Sequence, residues 1–259
     1  MSTNQSRTVL YGGTAATPGE WVADSVVMVD EHGRIDLVGP WNLPAEAQGP
    51  AIEGLDMASD ADIRSALLGG LAPGMVLDCR GLYVLPGLVA VELGGAAPGT
   101  AVVEGDPGER LVAEGITSLM SVAAPVRTDV TVIPLGPGQK GVEGAARAAL
   151  RWWHDTGAGS RLAAFVGGYE GGLLAAVKET IALGVPGVVA INMASLGPAA
   201  LAGVGRSRGA LLRGYAADII IVDENWTVVA TLIGGKVAHS VRSLAVPEPD
   251  ISELEWPDS

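Results

Sequence analysis

Three groups of residues have the types and spacing to do chemistry. Glu92 is the lone acid in the apolar run Leu82-Tyr-Val-Leu-Pro-Gly-Leu-Val-Ala-Val-Glu-Leu-Gly-Gly. A carboxylate there is either a metal ligand or an ordinary acid at an exposed strand end. Gly136-Pro-Gly-Gln-Lys-Gly places Gly136, Gly138 and Lys140 in one stretch. Free backbone N–H groups beside a lysine can cradle a phosphate. The spacing is not that of a Walker loop, and with 37 glycines in the chain such clusters arise readily. His154-Asp155 follows Trp152-Trp153 at the end of a predicted helix. The plain alternative is a helix C-terminal histidine, favoured by the helix dipole, beside a loop aspartate. The two tryptophans read as packing residues before they read as a sugar platform. Cys79 is the one cysteine; it reads as a small buried residue at a strand end rather than a nucleophile.

Composition narrows the partners. The chain has 259 residues, 48% hydrophobic and 17% charged, with a formal net charge of -13. A surface that acidic repels phosphate backbones, so no nucleic-acid partner is expected. One cysteine allows no intrachain disulfide and fits a cytoplasmic setting. No apolar stretch follows the polar start Met1 to Arg7, so no secretory signal is expected. The longest charge-free run, Thr180 to Gly205, is broken by Pro186, Pro198 and several glycines and carries Asn192 and Ser195. No membrane association is expected from it.

The elements that must position these residues fall into three zones. Val27, Val29, Ile35 and Val38 alternate around the turn Glu31-His32-Gly33-Arg34, which predicts a hairpin with His32 solvated. Residues 41–74 read as loop, with a short helix over 61–68. Met75 to Asp78 and Tyr83 to Leu85 read as strands. The middle is α/β: strands over 116–122 and 130–135, helices over 143–154, 173–183, 188–194 and 198–202. Strands return over 218–223, 227–233 and 236–239, the last two joined by a Gly234-Gly235 turn. The tail from Val246 is acidic, holds three prolines and is expected to be disordered.

The stretch from Leu82 to Gly95 resembles the start of the barrel in the amidohydrolase superfamily. There it reads Pro-Gly, two hydrophobic residues, Asp-x-His-x-His-Gly. The resemblance extends to the first hairpin (Asp24 to Ile35), to Gly115-Ile-Thr-Ser, to Ala194-Ser-Leu-Gly-Pro-Ala, and to Gly209 through Asp223 with Val228 to Val237. Within the superfamily the N-acetylglucosamine-6-phosphate deacetylases are the most similar branch. The resemblance implies an α/β fold: an incomplete (β/α) barrel inserted into a small β-sandwich formed by the N- and C-terminal strands. The implied boundaries are 8–83 plus 206–245 for the sandwich, 84–205 for the barrel region and 246–259 for the tail. Leu85 to Gly205 supplies about 120 residues, near half of the roughly 250 that a full barrel takes. Several central strands are therefore expected to be missing.

The chemistry of the family is not carried over with its frame. Ala90, Glu92 and Gly94 stand at the Asp-x-His-x-His positions, and Leu135 stands where a Glu-Gly-Pro motif would supply a ligand. Metal-activated hydrolysis needs several ligands converging from different strand ends. Only three histidines exist, and His154 alone falls in the barrel region. By resemblance to a Thr-Asp-Ala setting, Asp155 would be a general acid/base. The reading is a degenerate, non-catalytic relative that binds a sugar phosphate or a protein, with no cofactor expected. Its expected partners include a second copy of the chain or an active paralogue. The alternative is an active hydrolase holding zinc or iron, with Glu92 as a ligand and His154 and Asp155 as catalytic residues. A decayed gene product with no selected role is the third reading.

Overall fold

The computed structural model describes residues 7–40, 75–93, 107–122, 129–136, 138–156, 162–167 and 172–244. The expected helix over 61–68, Gly94 and the acidic tail lie outside these residues.

The N-terminal strands are β1 (Thr8–Ala16), β2 (Trp21–Val29), β3 (Ile35–Pro40), β4 (Met75–Asp78) and β5 (Tyr83–Pro86). The C-terminal ones are β10 (Ile219–Val222), β11 (Val228–Ile233) and β12 (Lys236–Ser240). All join one sheet in the order β12-β11-β10-β5-β1-β2-β3, with β4 on β1. The link between the chain's two ends is β10 against β5, antiparallel, with Ile219 opposite Pro86 and Val222 opposite Tyr83. The two ends of the chain thus share one sheet, and the residues between them form an insertion. Strand β1 escapes the sequence pattern because it is bulged at Tyr11/Gly13 and again at Gly13/Ala15. Each bulge moves the alternation to the other face.

The insertion carries β6 (Leu88–Leu93), α1 (Pro107–Ala113), β7 (Ile116–Val122), β8 (Val130–Pro134), α2 (Gly138–Thr156), β9 (Leu162–Val166), α3 (Gly172–Ala182), α4 (Gly187–Ala194) and α5 (Leu196–Leu201). β6 pairs parallel with β7, and β8 pairs parallel with β9. The Gly167 N–H donates to the Val91 carbonyl at 2.9 Å, which joins the end of β9 to the end of β6. Among the described residues the lateral order is β7-β6-β9-β8, two parallel pairs joined by that bond, where a closed barrel has eight strands. This is the incomplete barrel inserted in a composite sandwich that the sequence predicts.

Both faces of this strand layer are covered. Leu88, Ala90, Ile133, Ala163 and Phe165 pack under α2, α3 and α4. Val89, Val91, Val130, Ala164 and Val166 pack against Ala199, Ala200 and Leu201 of α5. α5 lies almost on the strand: a Cβ at Gly197 would sit 2.0 Å from the Ala163 carbonyl oxygen. Only a residue without a side chain permits that approach. Val188 and Val189 sit in helix α4 despite β-branching, because Ala190, Ile191, Met193 and Ala194 are buried there. Burial of that kind outweighs intrinsic propensity.

Asp218, 5% exposed, closes the insertion. Its carboxylate pairs with Arg208 and accepts the Gly234 N–H at 3.1 Å. Replacing Asp218 with Ala leaves the Arg208 charge and an amide unpaired. It is expected to lower the unfolding free energy by about 2–3 kcal/mol, read by urea denaturation. Asp36→Ala, which loses a half-buried pair to Arg7 and a long one to the exposed Arg213, is expected to cost less, about 1 kcal/mol.

Candidate functional site

In parallel α/β barrels chemistry collects at the C-terminal ends of the strands. Here those ends are held side by side. The Leu135 N–H donates to the Val166 carbonyl and the Gly167 N–H to the Val91 carbonyl, both at 2.9 Å. Glu92 follows Val91, and Gly136 follows Leu135, so the glycine-rich stretch and Glu92 share this edge. Glu92 is half-buried. It has the strand phase of Leu88 and Ala90, which pack toward α2, α3 and α4. Leu135, at the ligand position of the resembling motif, is a core residue 3% exposed.

The structure brings Gly136, Gly138 and Lys140 together. A Cβ on Gly141 would fall 2.1 Å from the Gly136 carbonyl oxygen, so the chain doubles back on itself here. Gly138 has φ +66° and opens α2. The first turn of α2 has no acid, and Gln139 and Lys140 are exposed. The start of a helix carries partial positive charge, and the Lys140 side chain is exposed beside it.

His154 and Asp155 are not part of this edge. Both are exposed in the last turn of α2. That helix runs back between two parallel strands, so its C-terminus lies at their N-terminal ends. Lys140 and His154 are separated by roughly 20 Å at 1.5 Å per helical residue. Asp155 therefore does not occupy a strand end, the place where a barrel acid would act. Trp152 packs on the core as expected of a structural residue, and Thr156 Oγ1 donates to its carbonyl at 2.7 Å.

The other histidines are elsewhere. His32 lies in the β2–β3 turn, 3.7 Å from Glu31 and 73% exposed. His239 lies on the edge strand β12, opposite Thr231. Among the described residues no three His, Cys, Asp or Glu side chains converge as a metal site. The described donors at the strand ends thus do not fit a zinc or iron centre.

Cys79 is fully buried. Burial pushes its thiol up to about 12, with the charge of Asp78 adding and a backbone hydrogen bond from Tyr11 opposing. The thiolate is the nucleophilic form, so Cys79 is no nucleophile at neutral pH. Asp78 is held below the usual carboxylate range: burial raises it, and the side-chain and backbone hydrogen bonds and charge of Arg80 outweigh that. A cleft at the start of β7, lined by Lys178 and Trp226 among others, was not legible in the sequence. Its parts come from three distant segments.

No family profile matches the chain, and no curated protein matches its sequence. Solved structures do match its fold. N-acetylglucosamine-6-phosphate deacetylase from Pasteurella multocida superposes with a TM-score of 0.52 at 9% identity, over 89% of this chain and 99% of that one. β-Aspartyl dipeptidase from Fervidobacterium islandicum gives 0.51 at 11%, over 90% and 97%. A zinc-bound adenosine deaminase from Xanthomonas campestris gives 0.50 at 13%, over 92% and 94%. These neighbours are amidohydrolase-superfamily members, and this chain has an amidohydrolase-like fold. At such identities the likeness extends to the fold alone.

Two outcomes follow from the titrating groups. Cys79 is expected to resist a thiol reagent in the native protein at pH 7 and to react stoichiometrically in denaturant; rapid native labelling would contradict the burial. The lowered Asp78 value contributes stability above the unfolded carboxylate value, near 3.8, and that contribution is lost as pH falls through the folded one. Asp78→Asn is expected to remove this part of the acid-induced loss, seen as a shallower fall in melting temperature below about pH 4.

Proposed function

We propose that this chain is a shortened, non-catalytic protein of amidohydrolase-like fold that binds a small sugar phosphate at the C-terminal ends of its barrel strands. The observation that carries the non-catalytic part of the proposal is the position of the histidines: none of the three stands at the C-terminal end of a barrel strand. The phosphate would be held by the free N–H groups at the start of α2 and by Lys140, within the turn formed by Gly136 and Gly138. A sugar phosphate is favoured because the resembling branch acts on N-acetylglucosamine 6-phosphate. A cytoplasmic setting is part of the same reading and rests on the single cysteine.

A second reading is an active, metal-dependent hydrolase. It is favoured by the fold shared with a deacetylase, a dipeptidase and a deaminase. Zinc or iron would there activate water or polarise the scissile carbonyl. Glu92 is the described carboxylate at that edge, and among the described residues no further His, Cys, Asp or Glu joins it as a metal site. His154 and Asp155 would enter this reading only if the substrate reached the opposite ends of the strands.

The two readings separate in one experiment. N-acetylglucosamine 6-phosphate is titrated into the purified chain by calorimetry and thermal shift, and acetate release is assayed with and without added zinc or ferrous iron. The expected result is saturable stabilisation, about 2.7 kcal/mol at a hundredfold excess over Kd. Lys140→Ala should weaken binding about tenfold, and no acetate should be released. Turnover that a chelator abolishes would establish the hydrolase reading instead. No shift and no turnover would remove the small ligand and leave a protein partner, a second copy or an active paralogue.

A further inference from the structure

Away from the strand mouth, a cleft of about 260 Å³ opens where β7 begins. Glu114 and Ile116 form one side. Leu173, Leu174, Ala175 and Lys178 of α3 form another, and the β10–β11 turn adds Asn225 and Trp226. Its walls are mainly apolar, with a few polar groups at defined places, the usual composition of a small-molecule site.

The turn that supplies Trp226 is over-determined. Asp223 accepts the N–H of Asn225 at 2.9 Å and of Thr227 at 2.8 Å through its carboxylate, and the Trp226 N–H at 3.0 Å through its carbonyl. These bonds hold Trp226 at φ +64°, a region that a bulky side chain rarely occupies. The indole is backed by Tyr83, stacked at 5.9 Å and 16°, and Tyr83 in turn by Trp21 at 5.6 Å. The flat wall of the cleft is therefore fixed before any ligand arrives.

Its charge is equally defined. Glu114 is engaged by Arg110 at 3.3 Å. Lys178 is exposed and donates to a neutral group, the Asn225 carbonyl, at 3.1 Å. Among the described residues no carboxylate pairs with it. An apolar, aromatic-walled cleft with one uncompensated cation fits a ligand with a flat apolar body and one negative charge.

We infer that this cleft binds a small aromatic carboxylate, its ring against Trp226, Ile116 and Leu174 and its carboxylate on the Lys178 ammonium. The site does not overlap Lys140 and does not depend on the sugar-phosphate reading.

The test titrates phenylacetate into the full chain by calorimetry, with amide chemical shifts mapping the contact. Saturable binding is expected, with shifts at residues 114–116, 173–178 and 225–226. Phenylacetamide, which keeps the ring and loses the charge, should bind at least tenfold more weakly. Lys178→Gln changes an exposed side chain, so its melting temperature should match the parent while phenylacetate affinity falls at least tenfold. Lys140→Ala should leave phenylacetate binding unchanged. No saturation, equal affinity for acid and amide, full affinity in Lys178→Gln, or loss in Lys140→Ala would each overturn the assignment.

Discussion

Asp218 is the point at which the sandwich and the inserted strands are tied together. Its carbonyl accepts the Gly87 N–H at 2.8 Å. Gly87 is the single residue between β5 of the sandwich and β6 of the barrel layer. The Asp218 carboxylate meanwhile holds Arg208, on the segment leaving the last helix, and the Gly234 N–H in the β11–β12 turn. One buried residue thus fixes where the insertion begins, where it ends, and how the returning strands meet the first ones. Neighbouring bonds extend the seam: Ile35 N–H to the Tyr215 carbonyl at 2.9 Å, and Ala217 N–H to the Gly33 carbonyl at 2.8 Å. A carboxylate that desolvated persists because each oxygen has a partner.

Among the described residues the barrel layer has four strands, not eight, and that changes what the frame can do. In a closed barrel the strand ends form a ring, and side chains from opposite strands reach a common centre. Here the ends lie along an arc. At about 4.8 Å between neighbours, the outermost of four strands are roughly 14 Å apart. The face that would line a barrel is packed against Ala199, Ala200 and Leu201. A ring of ligands around one ion requires donors within about 2.3 Å of it, and this arrangement supplies neighbours in a row. The reading as a binding protein rests on that geometry as well as on the histidines. An anion, unlike a metal, can be held from one side by the start of a single helix.

Legibility followed the range of the forces involved. The hairpin of Asp24 to Gly39 and the Gly234-Gly235 turn were readable because alternation and turn chemistry are local. Strand β9 was not, since Leu162 to Val166 is a continuous apolar run buried on both faces, without period-2 contrast. Helix α2 begins at Gly138, five positions before Glu143 where the sequence suggested, because Gly-Gln-Lys-Gly is a poor helix opening that the Gly136–Gly141 contact enforces. Gly136, Gly138 and Lys140 lie within five residues, so their proximity is local chain geometry, tightened by the Gly136–Gly141 approach, and is readable from sequence. The distance of His154 and Asp155 from Glu92 arises from the direction of the crossover helix, which no motif encodes. Lys178 and Asn225 stand 47 positions apart, and only the closed composite sheet joins them.

Trp226 illustrates why a strained residue is not by itself a sign of ligand binding. A left-handed conformation costs a non-glycine residue about 1–2 kcal/mol. Stacking on Tyr83 returns roughly 0.5–1.5 kcal/mol, and burial of the indole against the core adds to it. The chain can therefore keep tryptophan here on packing alone, and the strain is explained without a ligand. Lys178 differs in that it brings charge to the cleft. Its ammonium is exposed at the edge of an apolar wall and donates to the neutral Asn225 carbonyl, and among the described residues no carboxylate pairs with it. The argument for a bound carboxylate therefore rests on the uncompensated charge, and the aromatic wall sets which carboxylate fits.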